Sequence, residues 1–292
     1  MSQFRGASPE ARAGGHAGAA ASRTEVPAIA GLAFDLDGTV YLGQQLLPGA
    51  AELIAALAAA GVPYLFATNN SSTTGVRYVQ RLTALGLRAT RGTVLTSNDV
   101  TISHLHGAGL RRPFVVATRE VEEAYRAAGL EPAGLEPGGD EPDAVVLTFD
   151  TSLTYAKLRR AADLIGYGLP YIATHPDLVC PTPTGPIPDC GAFAALLFEA
   201  TGRRPQVMGK PALPMAAAIC ARLGLRPDAI AFVGDRLYTD VRMARDHGFL
   251  AVLTLTGETR RVDLAASGDV PDLVVEDLAA LHAHLRRAGT LP

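Results

Sequence analysis

The sequence predicts an α/β protein in which a doubly wound, mainly parallel Rossmann-like sheet is interrupted by a second α/β unit. Three observations predict it. From Ala28 onward, short apolar runs alternate with longer helix-patterned stretches, as strands joined by crossover helices do. The alternation changes character after about residue 98 and resumes near Gln206. Four polar clusters, DLDGT, TNNSS, GKP and GDRLYTD, close apolar runs, and open α/β sheets bind ligands beyond the carboxyl ends of their strands.

Taken in order, IAGLAFDLD reads as the first strand, and Pro48 stands ahead of GAAELIAALAAAG, whose alanine and leucine content predicts a helix capped by Gly61. VPYLFATNN is the second strand, VRYVQRLTALG the next helix and TVLTSND the third strand. The following segment holds FVVAT, a helix at EVEEAYRAAG, the Pro/Gly-rich LEPAGLEPGGDEPD, the strand AVVLTFD and a helix at TYAKLRRAADLIGYG. After YIATH, the prolines and glycines of DLVCPTPTGPIPDCGAF exclude a regular element over Pro181–Pro188. GAFAALLFEATG is a helix, and QVMGKP, IAFVGD, AVLTLTG and DLVVED carry the resumed alternation. The expected organisation is a tail over 1–26, a core over 27–98 plus 204–292, and a second unit over 99–203.

Composition excludes several classes. The chain has 292 residues, 48% hydrophobic, with a net charge of −3 and no Lys/Arg stripe along any helix, so it lacks a nucleic-acid footprint. No run of about 18 apolar residues occurs to span a membrane. Residues 1–26, rich in Ala, Gly, Ser and Arg, read as a disordered tail; a transit peptide is the rival, opposed by the acidic residues and the missing amphipathic period. Cys180, Cys190 and Cys220 form no CxxC pair or even framework, so they read as reduced thiols of a cytoplasmic protein without a zinc site.

The stretch FDLDGTV carries the sharpest chemical signal. A strand has a side-chain period of two, so Asp35 and Asp37 leave the same face and their charges disfavour one another. Such a pair needs a cation or a chemical task. Each motif alone has a bland reading, as a calcium-loop fragment, a helix cap or a surface lysine. In series they are specific.

The order Asp35-x-Asp37-Gly-Thr, Thr68, Lys210, then Gly234-Asp235 with Asp240 resembles the four motifs of the haloacid dehalogenase superfamily, in the DxD form of its phosphatases. The insertion between the second and third motifs is similar to the α/β (C2-type) cap of subfamily IIA, the NagD-like and p-nitrophenylphosphatase-like group, as are TNNSS, PDCGAFAALLFEATGRRP, MGKP and GDRLYTD. The resemblance runs from about Ala28 to the C-terminus.

It implies a Mg²⁺-dependent phosphatase of small phosphorylated metabolites: sugar phosphates, nucleoside monophosphates, phosphoglycolate or pyridoxal phosphate. An anionic nucleophile approaches a phosphate ester only once charge is neutralised, which a Mg²⁺ ion does. Asp35 is then the nucleophile that forms an aspartyl-phosphate, and Asp37 the general acid and later base. Asp35 and Asp235 suit Mg²⁺ as carboxylate ligands; the resemblance adds the Asp37 carbonyl as a ligand, and Asp240 as support for the metal or its waters. Thr68 and Lys210 hold phosphoryl oxygens, and Asn69 positions the loop or the substrate. Asp189, Cys190 and Gly191, at a helix start that favours anions, face the leaving group or else form a structural turn. His175 reads as a hydrogen-bonding loop residue. Relatives often carry a basic residue soon after NNSS and often dimerise through the cap; here the first basic side chain is Arg77.

Other readings use part of the pattern. A receiver domain carries its phosphoacceptor Asp on a later strand, a dehalogenase has no use for Asp37, and a dinucleotide site needs a GxGxxG that DGTVYLG lacks. A phosphotransferase would use the same four motifs, and a catalytically silent metabolite-binding protein would keep the fold.

Overall fold

The run Gly31–Phe34 forms the first strand, β1, and all four residues are buried, as a central strand covered on both faces requires. The computed structural model describes residues 29–136, 138, 141–182 and 184–292; the tail expected over 1–26 lies outside them. A hairpin of β2 (Tyr41–Leu42) and β3 (Gln45–Leu46) leads to α1 (Ala50–Ala60), β4 (Tyr64–Thr68), α2 (Gly75–Ala84) and β5 (Val94–Thr96). Then come α3 (Ser97–Gly107), β6 (Pro113–Val116), α4 (Arg119–Ala127), β7 (Ala144–Leu147), α5 (Tyr155–Gly166) and β8 (Tyr171–Ala173). The hairpin β9 (Val179–Cys180) and β10 (Ile187–Pro188) precedes α6 (Cys190–Thr201) and β11 (Gln206–Val207). The chain closes with α7 (Leu213–Leu223), β12 (Ile230–Gly234), a π-helical turn over Leu237–Val241, α8 (Arg242–His247), β13 (Leu250–Thr254), β14 (Leu273–Val275) and α9 (Leu278–Arg287).

Six strands make a parallel sheet in the order β14-β13-β12-β1-β4-β5. From β1 the chain winds outward through β4 and β5, and the later strands build away from β12 on the other side. The order therefore reverses between β1 and β12, which opens a crevice at their carboxyl ends. Four strands make a second parallel sheet, β11-β8-β7-β6.

The period of two on β1 divides the core. Leu32 and Phe34 pack with Leu53 and Leu57 of α1 and Leu281 and Leu285 of α9, whereas Ala33 faces the opposite cluster with Met215 and Ile219 of α7. Leu57 is fully buried, and truncating such a side chain to alanine costs about 2–5 kcal/mol. Gly61 ends α1 with φ 68°, as its position after the Ala/Leu run predicts.

Three elements depart from the sequence reading. Ile187 and Pro188, inside the Pro181–Pro188 stretch expected to hold no regular element, form β10 by pairing antiparallel with β9, an edge position where proline costs no ladder bond. The expected strand TVLTSND stops at Thr96, where a capping box turns the chain into α3: the Thr96 hydroxyl accepts from Asp99 N and the Asp99 carboxylate accepts from Thr96 N. The sequence reading places 204–292 in the core, yet β11 pairs in parallel with β8 of the second sheet. Its backbone run continues there, with Met208 N donating to Ala173 O and Gly209 N to Thr174 O, so the chain rejoins the first sheet only at β12.

Candidate active site

The sheet positions the two acidic motifs as neighbours. Asp35 follows β1 and Asp235 follows β12, adjacent parallel strands, so both carboxylates emerge at the crevice. The π-helical turn after Asp235 brings Asp240 to the same point, and one oxygen from each of Asp35, Asp235 and Asp240 lies within 4.8 Å of the others. All three residues are buried. Lys210 is also buried and donates from Nζ to Asp35 Oδ1 at 2.5 Å and to Asp240 Oδ1 at 2.7 Å.

Local geometry serves these carboxylates. Asp235 Oδ2 accepts from Glu258 N at 2.7 Å, and Asp240 Oδ2 accepts from Arg236 N at 3.1 Å. Gly38 has φ 90°, which glycine adopts without strain, and a Cβ there would stand 2.6 Å from Asp235 Oδ2.

Three buried carboxylates outnumber the Lys210 ammonium, which contacts Asp35 and Asp240, and the Arg236 guanidinium whose charge also reaches Asp35 and Asp235. Burial raises the Asp35 carboxyl well above the usual carboxylate range against the pull of Lys210, and the charges of Asp240 and Asp235 add to the rise. Burial also raises Asp235, with Asp240 reinforcing it. For Lys210, burial disfavours the cation, but Asp240 and Asp35 outweigh it and hold the ammonium charged. An all-oxygen donor set with that excess fits a hard divalent cation.

Asp37 reaches the cavity from the same strand end. Its Oδ2 accepts a hydrogen bond from Tyr41 OH at 3.0 Å, and burial raises its carboxyl, with Arg81 and the Tyr41 bond opposing. Thr68 closes β4, where its Oγ1 accepts from Asn70 N at 3.2 Å and the buried Tyr78 phenol interacts with it. Asn69 turns out to be bound to the lysine loop: Nδ2 donates to Lys210 O at 3.0 Å while Oδ1 accepts from Lys210 N at 2.8 Å.

These groups open into a cavity of about 760 Å³, whose other wall carries Asp177, Cys180 and Asp189 from the second-sheet segment. Asp177 links the two halves, accepting from Asn69 Nδ2 at 3.2 Å and pairing with Arg236 Nη1 at 3.5 Å. His175 is fully buried, with its ring nitrogens 3.5 Å from Asp177 Oδ2 and 3.4 Å from Asp189 Oδ1.

Cys190 and Gly191 stand behind the wall. Cys190 is fully buried, its Sγ 3.4 Å from Leu147 O, and burial pushes its thiol up to about 12. Gly191 N donates to Asp177 O at 2.8 Å, and a Cβ there would collide with the Pro176 carbonyl. The helix start expected to attract a ligand is already capped by the chain's own carboxylate: Asp189 Oδ1 accepts from Cys190 N at 2.6 Å. Asp189 is therefore the member of that trio that lines the cavity.

Arg77 likewise lies outside, in an exposed ion pair with Glu120 at 2.8 Å. Arg81, one helical turn later, lines the cavity instead. Tyr41, Tyr78, Arg81, Asp177 and Arg236 are absent from the sequence reading; the one local signal was the position of Tyr41 four residues after Asp37, across the tight DGTV turn.

The sequence model of haloacid dehalogenase-like hydrolases matches residues 32–131, and that of the HAD-hydrolase-like group matches residues 207–281. The 5'-nucleotidase YutF of Bacillus subtilis is 32% identical over 85% of this chain and 95% of its own. The crystal structure of 4-nitrophenylphosphatase from Thermotoga maritima superposes with a TM-score of 0.82, at 38% identity, covering 87% of this chain and 97% of that one. A glycerol phosphate phosphatase from Mycobacterium tuberculosis, solved in complex with calcium, superposes with a TM-score of 0.78 at 33% identity, covering 87% and 74%.

Proposed function

Since the chain belongs to the haloacid dehalogenase-like hydrolases and is a phosphatase of that family, we propose that it hydrolyses small-metabolite phosphomonoesters with Mg²⁺ through an aspartyl-phosphate on Asp35. The observation that carries this reading is the convergence of Asp35, Asp235, Asp240 and Lys210 at the strand-order reversal, with Asp37 beside them. Residues 99–203, with β11, act as a cap over the cavity, a role supported by the presence of Asp177, Cys180 and Asp189 in its wall.

Asp35, Asp235 and Asp240 would hold the cation, with the Asp37 carbonyl as a further oxygen. When bound, Mg²⁺ supplies the charge neutralisation that lets a carboxylate approach a phosphate ester. A carboxylate oxygen of Asp35 attacks phosphorus as the ester P–O bond breaks, and Asp37 gives its proton to the departing oxygen. Water then attacks the aspartyl-phosphate, Asp37 takes a proton from it, and phosphate leaves with Asp35 restored. Lys210 and Thr68 hold phosphoryl oxygens where charge builds. The Tyr41 hydrogen bond fixes the orientation of Asp37, and burial keeps its carboxyl protonated to higher pH than in water, as an acid donor requires. Asn69 lines the cavity and acts on the lysine loop through its carboxamide.

Three free cysteines support a reducing, cytoplasmic setting. No helix among the described residues is long and apolar enough to cross a membrane. Phosphate release from a panel of phosphometabolites and p-nitrophenyl phosphate, with Mg²⁺ or EDTA, tests the reading beside Asp35→Asn. Metal-dependent release that the variant loses supports it; release that survives in Asp35→Asn rules out the nucleophile.

A further inference from the structure

Among the described residues three cations line the cavity, and two of them are held in ion pairs. Lys210 is shared between Asp35 and Asp240. Arg236 pairs with Asp177 at 3.5 Å and with Glu258 at 3.0 Å. Arg81 differs: Nη2 donates to Gly43 O at 2.5 Å, its guanidinium carbon lies 4.1 Å from the Tyr41 ring centroid, and among the described residues no carboxylate forms an ion pair with it. A guanidinium has five N–H donors, and the one hydrogen bond to Gly43 O leaves Arg81, which lines the cavity, with donors to spare.

Its position is tied to one side of the reaction. Tyr41 spans Arg81 and Asp37, presenting its ring to the guanidinium and its hydroxyl to the carboxylate. Asp37 is the acid that meets the leaving-group oxygen, so Arg81, joined to it through Tyr41, stands on the leaving-group side. Of the acids that line the cavity on this side, Asp177 and Glu258 face Arg236, Asp189 faces Cys190 N and His175, and Asp37 feels the Arg81 charge through space while its own hydrogen bond goes to Tyr41.

We propose that Arg81 binds a carboxylate on the leaving group, so that the preferred substrates are small phosphomonoesters of hydroxy acids. The inference rests on the phosphatase reading above. A planar guanidinium offers parallel donors that match the two oxygens of a carboxylate, a pairing both charge-assisted and geometrically selective. The Tyr41 ring under the guanidinium holds the fork in place before substrate arrives.

The test compares kcat/KM for 2-phosphoglycolate and for ethyl phosphate, which differ in the carboxylate, in the full chain with Mg²⁺. Wild type is expected to favour the acid by about 10–100-fold, the range of a charge-assisted contact. In Arg81→Met that ratio collapses to within about threefold of one, mainly through KM; in Arg81→Lys, which keeps the charge and loses the fork, it falls between. Any disturbance passed to Asp37 through Tyr41 slows both esters and cancels in the ratio. A wild-type ratio at or below one, or a ratio that Arg81→Met leaves unaltered, overturns the proposal while the phosphatase reading stands. Absence of turnover with both esters and with p-nitrophenyl phosphate takes down both.

Discussion

Asn69 and Lys210, 141 residues apart, exchange two hydrogen bonds through the Asn69 carboxamide and the Lys210 backbone. The carboxamide thus stands in for a strand neighbour, and the ammonium that contacts Asp35 is held from its own backbone upward. Replacing Asn69 by Ala leaves a buried N–H and C=O unpaired, at about 1–3 kcal/mol of stability. We expect Tm to fall by several degrees and kcat to fall about 10–100-fold with a smaller change in KM, since a loosened ammonium acts on charge development. A kcat equal to wild type would remove Asn69 from the positioning of Lys210.

The excess of carboxylates over ammonium predicts stabilisation by a divalent cation. A ligand at about a hundred times its Kd stabilises by about 2.7 kcal/mol, so saturating Mg²⁺ raises the Tm of wild type by several degrees. Asp235→Asn is expected to have a smaller Mg²⁺ increment and, because one buried like charge is gone, an apo Tm at or above wild type. Differential scanning fluorimetry with and without EDTA reads both, and an undiminished increment in Asp235→Asn would exclude that residue as a ligand.

Asp37→Asn removes a proton donor whose value depends on the leaving group. An alkyl phosphate, with a poor leaving group, should lose about 10²–10⁴-fold in kcat, whereas p-nitrophenyl phosphate loses far less in the phosphorylation step. Tyr41→Phe deletes only the 3.0 Å bond to Asp37 and should shift the same comparison in the same direction by a smaller factor. Equal losses on the two substrates would leave Asp37 without an acid role.

Asp177 supplies a pH prediction. Burial raises its carboxyl, but the His175 ring 3.5 Å away and the charges of Arg236 and Lys210 prevail, and the net shift is downward. A folded value below the unfolded one gives stability that is present above the unfolded pKa and lost as pH falls through the folded value. Wild-type Tm should therefore drop more steeply than that of Asp177→Asn as pH falls from about 5 to 3. Parallel Tm profiles would show that Asp177 contributes no acid-linked stability.

The acidic motifs were legible because they sit at strand ends, where the period-two pattern and the turn residues mark position without any long-range knowledge. Helix α3 was not, since its Ser, Asn, Thr and His residues give it no apolar stripe; its signal is the cap from Thr96 to Asp99. The two residues of β11 are too few to show which sheet they join. Asp177 meets partners 108 and 59 residues away, Asn69 and Arg236, and no local pattern encodes either contact. The expectation for Cys190 and Gly191 took a helix start as open when the side chain just before it, Asp189, already filled it.

The same Asn69 Nδ2 that donates to Lys210 O also donates to Asp177 across the cleft. Swinging the second sheet outward would tear Asp177 from Asn69 and Arg236 and leave the lysine tether short of a partner. On the proposed cap reading, an ajar enzyme would thereby be a disarmed one: the posture that would let phosphate escape and bulk water enter would also be the one in which the ammonium is least firmly aimed at Asp35.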